Sequence, residues 1–138
     1  ADQKVPLFIG VDEEGGQVVR GKSFLTPPPS EQEIGRSGEV TRAEESARQT
    51  AEKLKKLGFN VNFAPVADVG EYARSFSADP EQAAKFVEAA AQGYEQQHMM
   101  YALKHFPGIG RGTVDPASSL FMGLSKMAQG NCTEIVRI

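Results

Sequence analysis

Two short stretches hold most of the residues in this 138-residue chain that could do chemistry. In the first, apolar Leu7, Phe8, Ile9 and Val11 run into Asp12-Glu13-Glu14-Gly15-Gly16. In the second, Met99, Met100, Tyr101, Ala102 and Leu103 run into Lys104-His105-Phe106-Pro107-Gly108. An apolar strand that ends in charge and then glycine fits a parallel α/β protein, where reactive groups sit at the carboxyl ends of strands. A carboxylate such as Asp12 can accept two hydroxyls there, and a lysine and a histidine add donors. Each residue also has an ordinary structural reading. Asp12 would cap the glycine turn behind it, and a histidine would pack in the core against backbone. Lys104 and His105 are adjacent, so in an ideal strand they face opposite ways. Both reach one site only if the backbone bends, and Pro107-Gly108 offers such a bend. Arg20, Arg74 and their forked guanidinium groups can bridge oxygens or orient a carboxylate. Taken alone, each arginine reads as a surface charge.

The elements that must position these groups read as strand, helix, strand, helix, strand. Residues 5–11 form a buried strand. Residues 12–38 are a long connection rich in Gly, Pro and Ser, with Pro27-Pro28-Pro29 inside it. Such length within a compact domain marks a functional loop. Thr41 and Glu44 fit a capping box. The helix they open runs to about Leu57, with Ala47, Ala51, Leu54 and Leu57 as its apolar stripe and Gly58 as its stop. Residues 59–66 are the second strand. Asp79-Pro80 opens the next helix as cap and first-turn proline, with Ala83, Phe86, Val87, Ala90 and Tyr94 facing inward. Residues 99–103 are the third strand, and residues 133–138 allow a further one. The alternation predicts a parallel sheet with right-handed crossovers.

Composition narrows the partners. The chain is 40% hydrophobic and 24% charged, ordinary for a globular domain. A net charge of −3 gives no basic surface for nucleic acid or an anionic membrane. No apolar run approaches the ~20 residues of a membrane span. The single cysteine, Cys132, excludes an internal disulfide framework and is compatible with the cytosol or with a cystine-free secreted protein. The polar start Ala1-Asp2-Gln3-Lys4 shows no signal peptide, as a trimmed mature chain would also look. No His, Cys or carboxylate pair has metal-ligand spacing, so no metal or cofactor is expected. Gly108-x-Gly110-x-Gly112 misses the dinucleotide fingerprint because Thr113 follows, leaving a phosphate nest as its alternative use. Ser37 and Ser118 lack the partners of a nucleophilic serine.

The first block resembles the D-E/Q-E-G-G-R-V signature of family-3 glycoside hydrolases, and Lys104-His105-Phe106-Pro107-Gly108-Ile109-Gly110 resembles the family's K-H-F-P-G-H-G. Between them, Asn60-Val61-Asn62-Phe63-Ala64-Pro65-Val66-Ala67-Asp68-Val69 is similar to N-V-N-F-A-P-V-x-D-V. Arg74-Ser75-Phe76-Ser77-Ala78-Asp79-Pro80 is similar to R-S-F-G-S-D-P. The four blocks span residues 5–115 in the family's order, and nothing from Leu120 onward adds to them. Phe106-Pro107-Gly108 points to the branch that cleaves β-linked N-acetylhexosamines rather than to β-glucosidases.

The resemblance implies an α/β fold, part of a TIM-type (β/α)8 barrel with parallel strands, incomplete here because such a barrel needs about 250 residues. Residues 1–119 would be the partial barrel domain, with residues 120–138 unassigned. It further implies a hydrolase of terminal β-linked N-acetylhexosamine, foremost N-acetylglucosamine, on a bacterial glycan such as a cell-wall sugar. Asp12, Arg20, Arg74, Lys104 and His105 would bind that sugar, and at a barrel mouth such groups should serve binding more than stability. Glu13 and Glu14 would have supporting roles, and His98 a structural one. Asp115 matches the aspartate of the family's acid/base loop, but the histidine of its Asp-x-His pattern is Ala117 here. The histidine between the family's glycines is Ile109. The nucleophilic aspartate belongs to a later strand, and no residue of this chain matches it. The implied partner is a carbohydrate substrate, with the rest of the barrel or self-association covering open strand edges. The compartment stays open between cytoplasm and cell envelope or secretion. The rival readings are a non-catalytic sugar-binding member or inactive fragment, and a phosphate-binding barrel that uses residues 108–112.

Overall fold

Three strands and two long helices alternate along the chain as the apolar periodicity requires. The structure, a computed structural model, describes residues 7–106 and the backbone of residues 133–137. Strand β1 (Gly10–Val11), β2 (Val61–Asn62) and β3 (Met100–Phe106) form a parallel sheet in that order. Gly10 and Val11 lie opposite Val61 and Asn62, which lie opposite Met100 and Tyr101. The segment after β2 rejoins β3 through a parallel bridge between Val66 and Lys104. A fourth strand, β4 (Thr133–Arg137), pairs with β3 in the antiparallel sense, Arg137 opposite Tyr101. Parallel pairing therefore holds for the first three strands, and β4 departs from it by running back along β3.

Helix α1 (Glu31–Ser37) lies inside what sequence reading treats as one long connection. The Ser30 hydroxyl accepts the Glu33 N–H at 3.2 Å and caps it, and Gly38 ends it. Ser30 with Glu33 is the spacing of a capping box, a signal outweighed by the three prolines before it. Helix α2 (Val40–Lys56) starts one residue ahead of the expected Thr41 cap. Glu39 occupies the cap position without a side-chain bond, and Thr41 is an exposed residue of the first turn. Ala47, Ala51 and Leu54 are buried as the stripe predicts, but Leu57, just past the last turn, is 46% exposed. Helix α3 (Pro80–Gln96) begins as expected, with Asp79 Oδ1 accepting the Gln82 N–H at 2.9 Å.

The core lies between α2, α3 and the sheet. Phe86 stacks on Phe76 with ring centroids 5.5 Å apart, and Tyr94 on Tyr101 at 5.7 Å. Each large apolar side chain buried here contributes ~1.5–3 kcal/mol. Gly93 lets α3 approach α2 closely, because a Cβ there would sit 2.2 Å from the Glu44 carbonyl oxygen. The expectation of a buried first strand fails at Leu7, Phe8 and Ile9, which are 61, 70 and 45% exposed. Their backbone is held, with Asn60 Oδ1 accepting the Ile9 N–H and Asn60 Nδ2 donating to the Leu7 carbonyl, each at 2.7 Å. β1 is the outer strand of the sheet, so among the described residues nothing flanks its far edge to cover those side chains. No helix among the described residues is long and apolar enough to cross a membrane.

Candidate functional site

The site forms where β1 and β3 end on the same side of the sheet. After Val11 the chain turns through Gly15, whose φ of 103° is a left-handed conformation suited to glycine. A Cβ there would meet the Pro29 carbonyl oxygen at 2.1 Å. The turn is pinned from β2. Asn62 Oδ1 accepts the Glu13 N–H and Asn62 Nδ2 donates to the Glu13 carbonyl, both at 3.0 Å. The same Nδ2 donates to the Tyr94 hydroxyl at 2.9 Å, and burial pushes that hydroxyl's pKa well up, so it stays protonated. Glu13 Oε2 accepts the backbone N–H groups of Arg20 and Gly21 at 2.7 and 2.8 Å. Closure of the glycine turn, the alternative role for Asp12, thus belongs to Glu13.

Asp12 instead meets the end of β3. Lys104 Nζ lies 2.6 Å from Asp12 Oδ1 and 2.6 Å from Glu14 Oε1. Arg74 Nε donates to Glu14 Oε2 at 2.8 Å and its Nη2 to Glu14 Oε1 at 2.9 Å. Such a fork-to-carboxylate pair fixes geometry as well as charge. Arg74 Nη2 also lies 3.2 Å from His105 Nε2, and His105 Nδ1 lies 2.6 Å from Asp68 Oδ2. Asp68 Oδ1 accepts the His105 backbone N–H at 3.2 Å. A guanidinium only donates and a carboxylate only accepts. These two neighbours therefore assign the proton to Nδ1 and leave Nε2 as acceptor.

Lys104 and His105 reach this one network although they are neighbours. The β3–β4 register shifts between Leu103 and Phe106, the stretch that holds both residues, and Pro107-Gly108, where a bend is expected, lie outside the described residues. Burial divides the labour. The side chains of Lys104, Glu14 and Asp68 are 3, 2 and 2% exposed, whereas those of His105 and Asp12 are 19 and 42% exposed. Asp12 presents an acceptor outward, His105 and Arg74 form the partly open wall, and the others hold them from behind. Three carboxylates face two fixed cations, so with His105 neutral the cluster carries one excess negative charge.

Four expected site residues, Asp12, Arg74, Lys104 and His105, are thus brought together. Arg20 is not, being exposed and tied to the turn through its backbone N–H. Asp115 lies outside the described residues, as do Ile109, Ala117 and the glycines at 108–112. His98 is exposed at the end of α3 with a φ of 50°. Sequence reading undervalued Glu14, which bonds both cations, and gave no role to Asp68, which orients His105. Asp68 had a legible signal, since it closes the second apolar run just as Asp12 closes the first.

Comparisons with known proteins identify the family. The family model described as the glycosyl hydrolase family 3 N terminal domain matches residues 1–123. The β-hexosaminidase LpqI of Mycobacterium tuberculosis is 38% identical over 119 residues, covering 80% of this chain and 31% of that protein. A β-hexosaminidase of Haemophilus influenzae is 36% identical, covering 81% of this chain and 34% of its own length. Among solved structures, M. tuberculosis LpqI superposes with a TM-score of 0.76 at 37% identity over 82% of this chain and 35% of that one. A family-3 β-N-acetylglucosaminidase from Paenibacillus also gives 0.76, at 33% identity over 80% of this chain and 22% of that one. The chain spans about a third of the length of the curated relatives it matches. With the model for the family's N-terminal domain matching residues 1–123 and relatives 36–38% identical over four fifths of the chain, the chain belongs to glycosyl hydrolase family 3.

Proposed function

We propose that the protein hydrolyses O-glycosyl bonds of terminal β-linked N-acetylhexosamine, foremost N-acetylglucosamine, in a glycan, and that this chain supplies the pocket for that sugar. Residues 1–119 are then the partial barrel domain, and the remainder of the barrel completes the site. What supports this reading is the convergence of Asp12, Glu14, Asp68, Arg74, Lys104 and His105 at the ends of β1 and β3, in a chain whose relatives are β-hexosaminidases. Those names also weigh against a non-catalytic member.

The half-exposed Asp12 carboxylate accepts sugar hydroxyls, and Lys104, locked between Asp12 and Glu14, fixes its direction. Arg74 and His105 meet neighbouring hydroxyls, each held by a buried carboxylate. Arg20, outside this cluster, keeps only the contact with the sugar that the family resemblance implies. Such preorganised groups accelerate a reaction only where they bind the transition state better than the ground state. Retaining glycosidases pass through a state with positive charge on the anomeric carbon, and the excess negative charge of the cluster favours it. Asp115 belongs to the acid/base loop, and the nucleophilic carboxylate comes from beyond these residues.

Full-length protein should release N-acetylglucosamine from a chromogenic β-glycoside faster than it releases glucose from the matching glucoside. Equal or faster turnover of the glucoside would refute the hexosaminidase assignment.

A further inference from the structure

Glu31 is a buried acid that the sugar reading leaves without a part. It opens α1, where an acidic residue suits the helix dipole, yet it turns inward and is 4% exposed. Its Oε1 accepts the Val66 N–H at 2.8 Å. Its Oε2 is buried with no hydrogen-bond partner among the described residues. Glu31 shares a cavity with Glu13, Glu14, Ser46, Thr50 and Tyr94.

The backbone explains why a side chain is needed there. Lys104 N–H donates to the Pro65 carbonyl, and Ala67 N–H donates to the Lys104 carbonyl. Both bonds face β3. In extended backbone the Val66 N–H points the opposite way, toward β1. The last paired residue of β1 is Val11, opposite Asn62, so no β1 carbonyl remains to meet it. A buried N–H left without an acceptor is costly, and Glu31 fills that place.

We propose that Glu31 is a positioning residue of the pocket: its carboxyl replaces the departed strand and fixes residues 64–68, the segment that pairs with Lys104 and delivers Asp68 to His105. The pocket's identity as a sugar site is taken from the proposed function. Burial pushes the Glu31 carboxyl well above the usual carboxylate range. The Val66 N–H pulls against this, Glu14 adds to it, and Lys104 and Arg74 oppose it. Glu13 and Tyr94 face the same cavity. Burial thus favours the neutral acid, whose carbonyl oxygen serves Val66, a role that an amide can fill and an alkyl chain cannot.

The sign of the pH effect follows. A folded carboxyl that keeps its proton after the unfolded one has lost it contributes stability that is full below the ordinary value of 4.5. That contribution is lost as pH rises through the raised folded value. Glu31→Gln does not titrate, so its melting temperature should gain on wild type as pH rises above about 4.5.

The test compares Glu31→Gln with Glu31→Leu, which fills the space without an acceptor, in full-length protein. With a chromogenic β-N-acetylglucosaminide, Gln should keep KM and kcat within about twofold, and Leu should raise KM at least about tenfold. Hydrogen exchange at residues 64–68 and 100–106 should quicken in Leu and stay at the wild-type rate in Gln. Leu with wild-type KM and exchange overturns the proposal, as does Gln that is damaged as badly as Leu. If Leu does not accumulate folded, Gln decides alone: unchanged KM with melting at or above wild type supports the anchor, and the reverse overturns it. The exchange arm needs no substrate. Absent glycosidase activity with the expected exchange pattern would sink the sugar reading and uphold the anchor.

Discussion

Helices α2 and α3 are joined by buried alanines and the close approach at Gly93, and α3 stacks its rings on Phe76 and Tyr101, whereas the carboxyl ends of β1 and β3 are joined by buried charge. The helical layer loses stability in proportion to the apolar contact removed, because its groups are interchangeable hydrophobes. The charged end behaves differently. Every member is the partner of another, so removing one of the buried members leaves a charge uncompensated away from bulk solvent. Hydrophobic residues of similar volume often stabilise a fold as well as a buried ion pair does. Charge kept in that position therefore speaks for function more than for stability.

The sharpest way to break this comparison is Lys104→Ala. It leaves Asp12 and Glu14 facing each other with their common cation gone. Loss of one partner from a buried pair costs ~3–5 kcal/mol. The full-length protein should melt markedly lower, and kcat/KM for the β-N-acetylglucosaminide should fall at least about tenfold. Unchanged melting would show that the cluster is held by something other than Lys104. Phe86→Ala is the counterpart in the helical layer. It removes a ring stacked on Phe76 and should cost a comparable ~3–5 kcal/mol, but KM of the folded fraction should stay at the wild-type value. A large rise in KM would mean that the two regions are not separable. Asp12→Ala should change stability least, since Asp12 is 42% exposed and Glu14 remains to pair with Lys104. Its kcat/KM should still drop about tenfold or more, because a charge-assisted bond to substrate is worth ~1.5–3 kcal/mol. Thermal melting and steady-state kinetics on the same preparation separate the two effects, and full activity would assign Asp12 to structure.

The same contrast governs what could be read in advance. Helix α3 was legible because its signals are local: Asp79-Pro80 at the start and Ala83, Phe86, Val87, Ala90 and Tyr94 at helical spacing. Asp12, Arg74, Lys104 and His105 were legible as a group only through resemblance to known motifs. Nothing in periodicity links Arg74 to Glu14, 60 residues away, or Asp68 to His105, 37 away. The depth of Lys104 was not legible either. Pocket groups were expected to serve binding and spare stability; exposure now separates them, since Asp12 is half exposed whereas the 3% exposure of Lys104 leads us to predict a cost to the fold as well. Leu7, Phe8 and Ile9 erred the other way, since an apolar run foretells a strand but not what covers it. Helix α1 was missed although Ser30 and Glu33 announced it, because Pro27-Pro28-Pro29 reads as loop.

Asn62 has a consequence for engineering. Its amide grips both backbone groups of Glu13 and the Tyr94 hydroxyl, so the loop bearing Asp12 and Glu14 is tethered by a residue of the next strand and backed by one of a distant helix. A designer who transplants residues 12–16 into another barrel would carry over the carboxylates and leave their mooring behind. The smallest portable unit is the loop together with Asn62 and Tyr94.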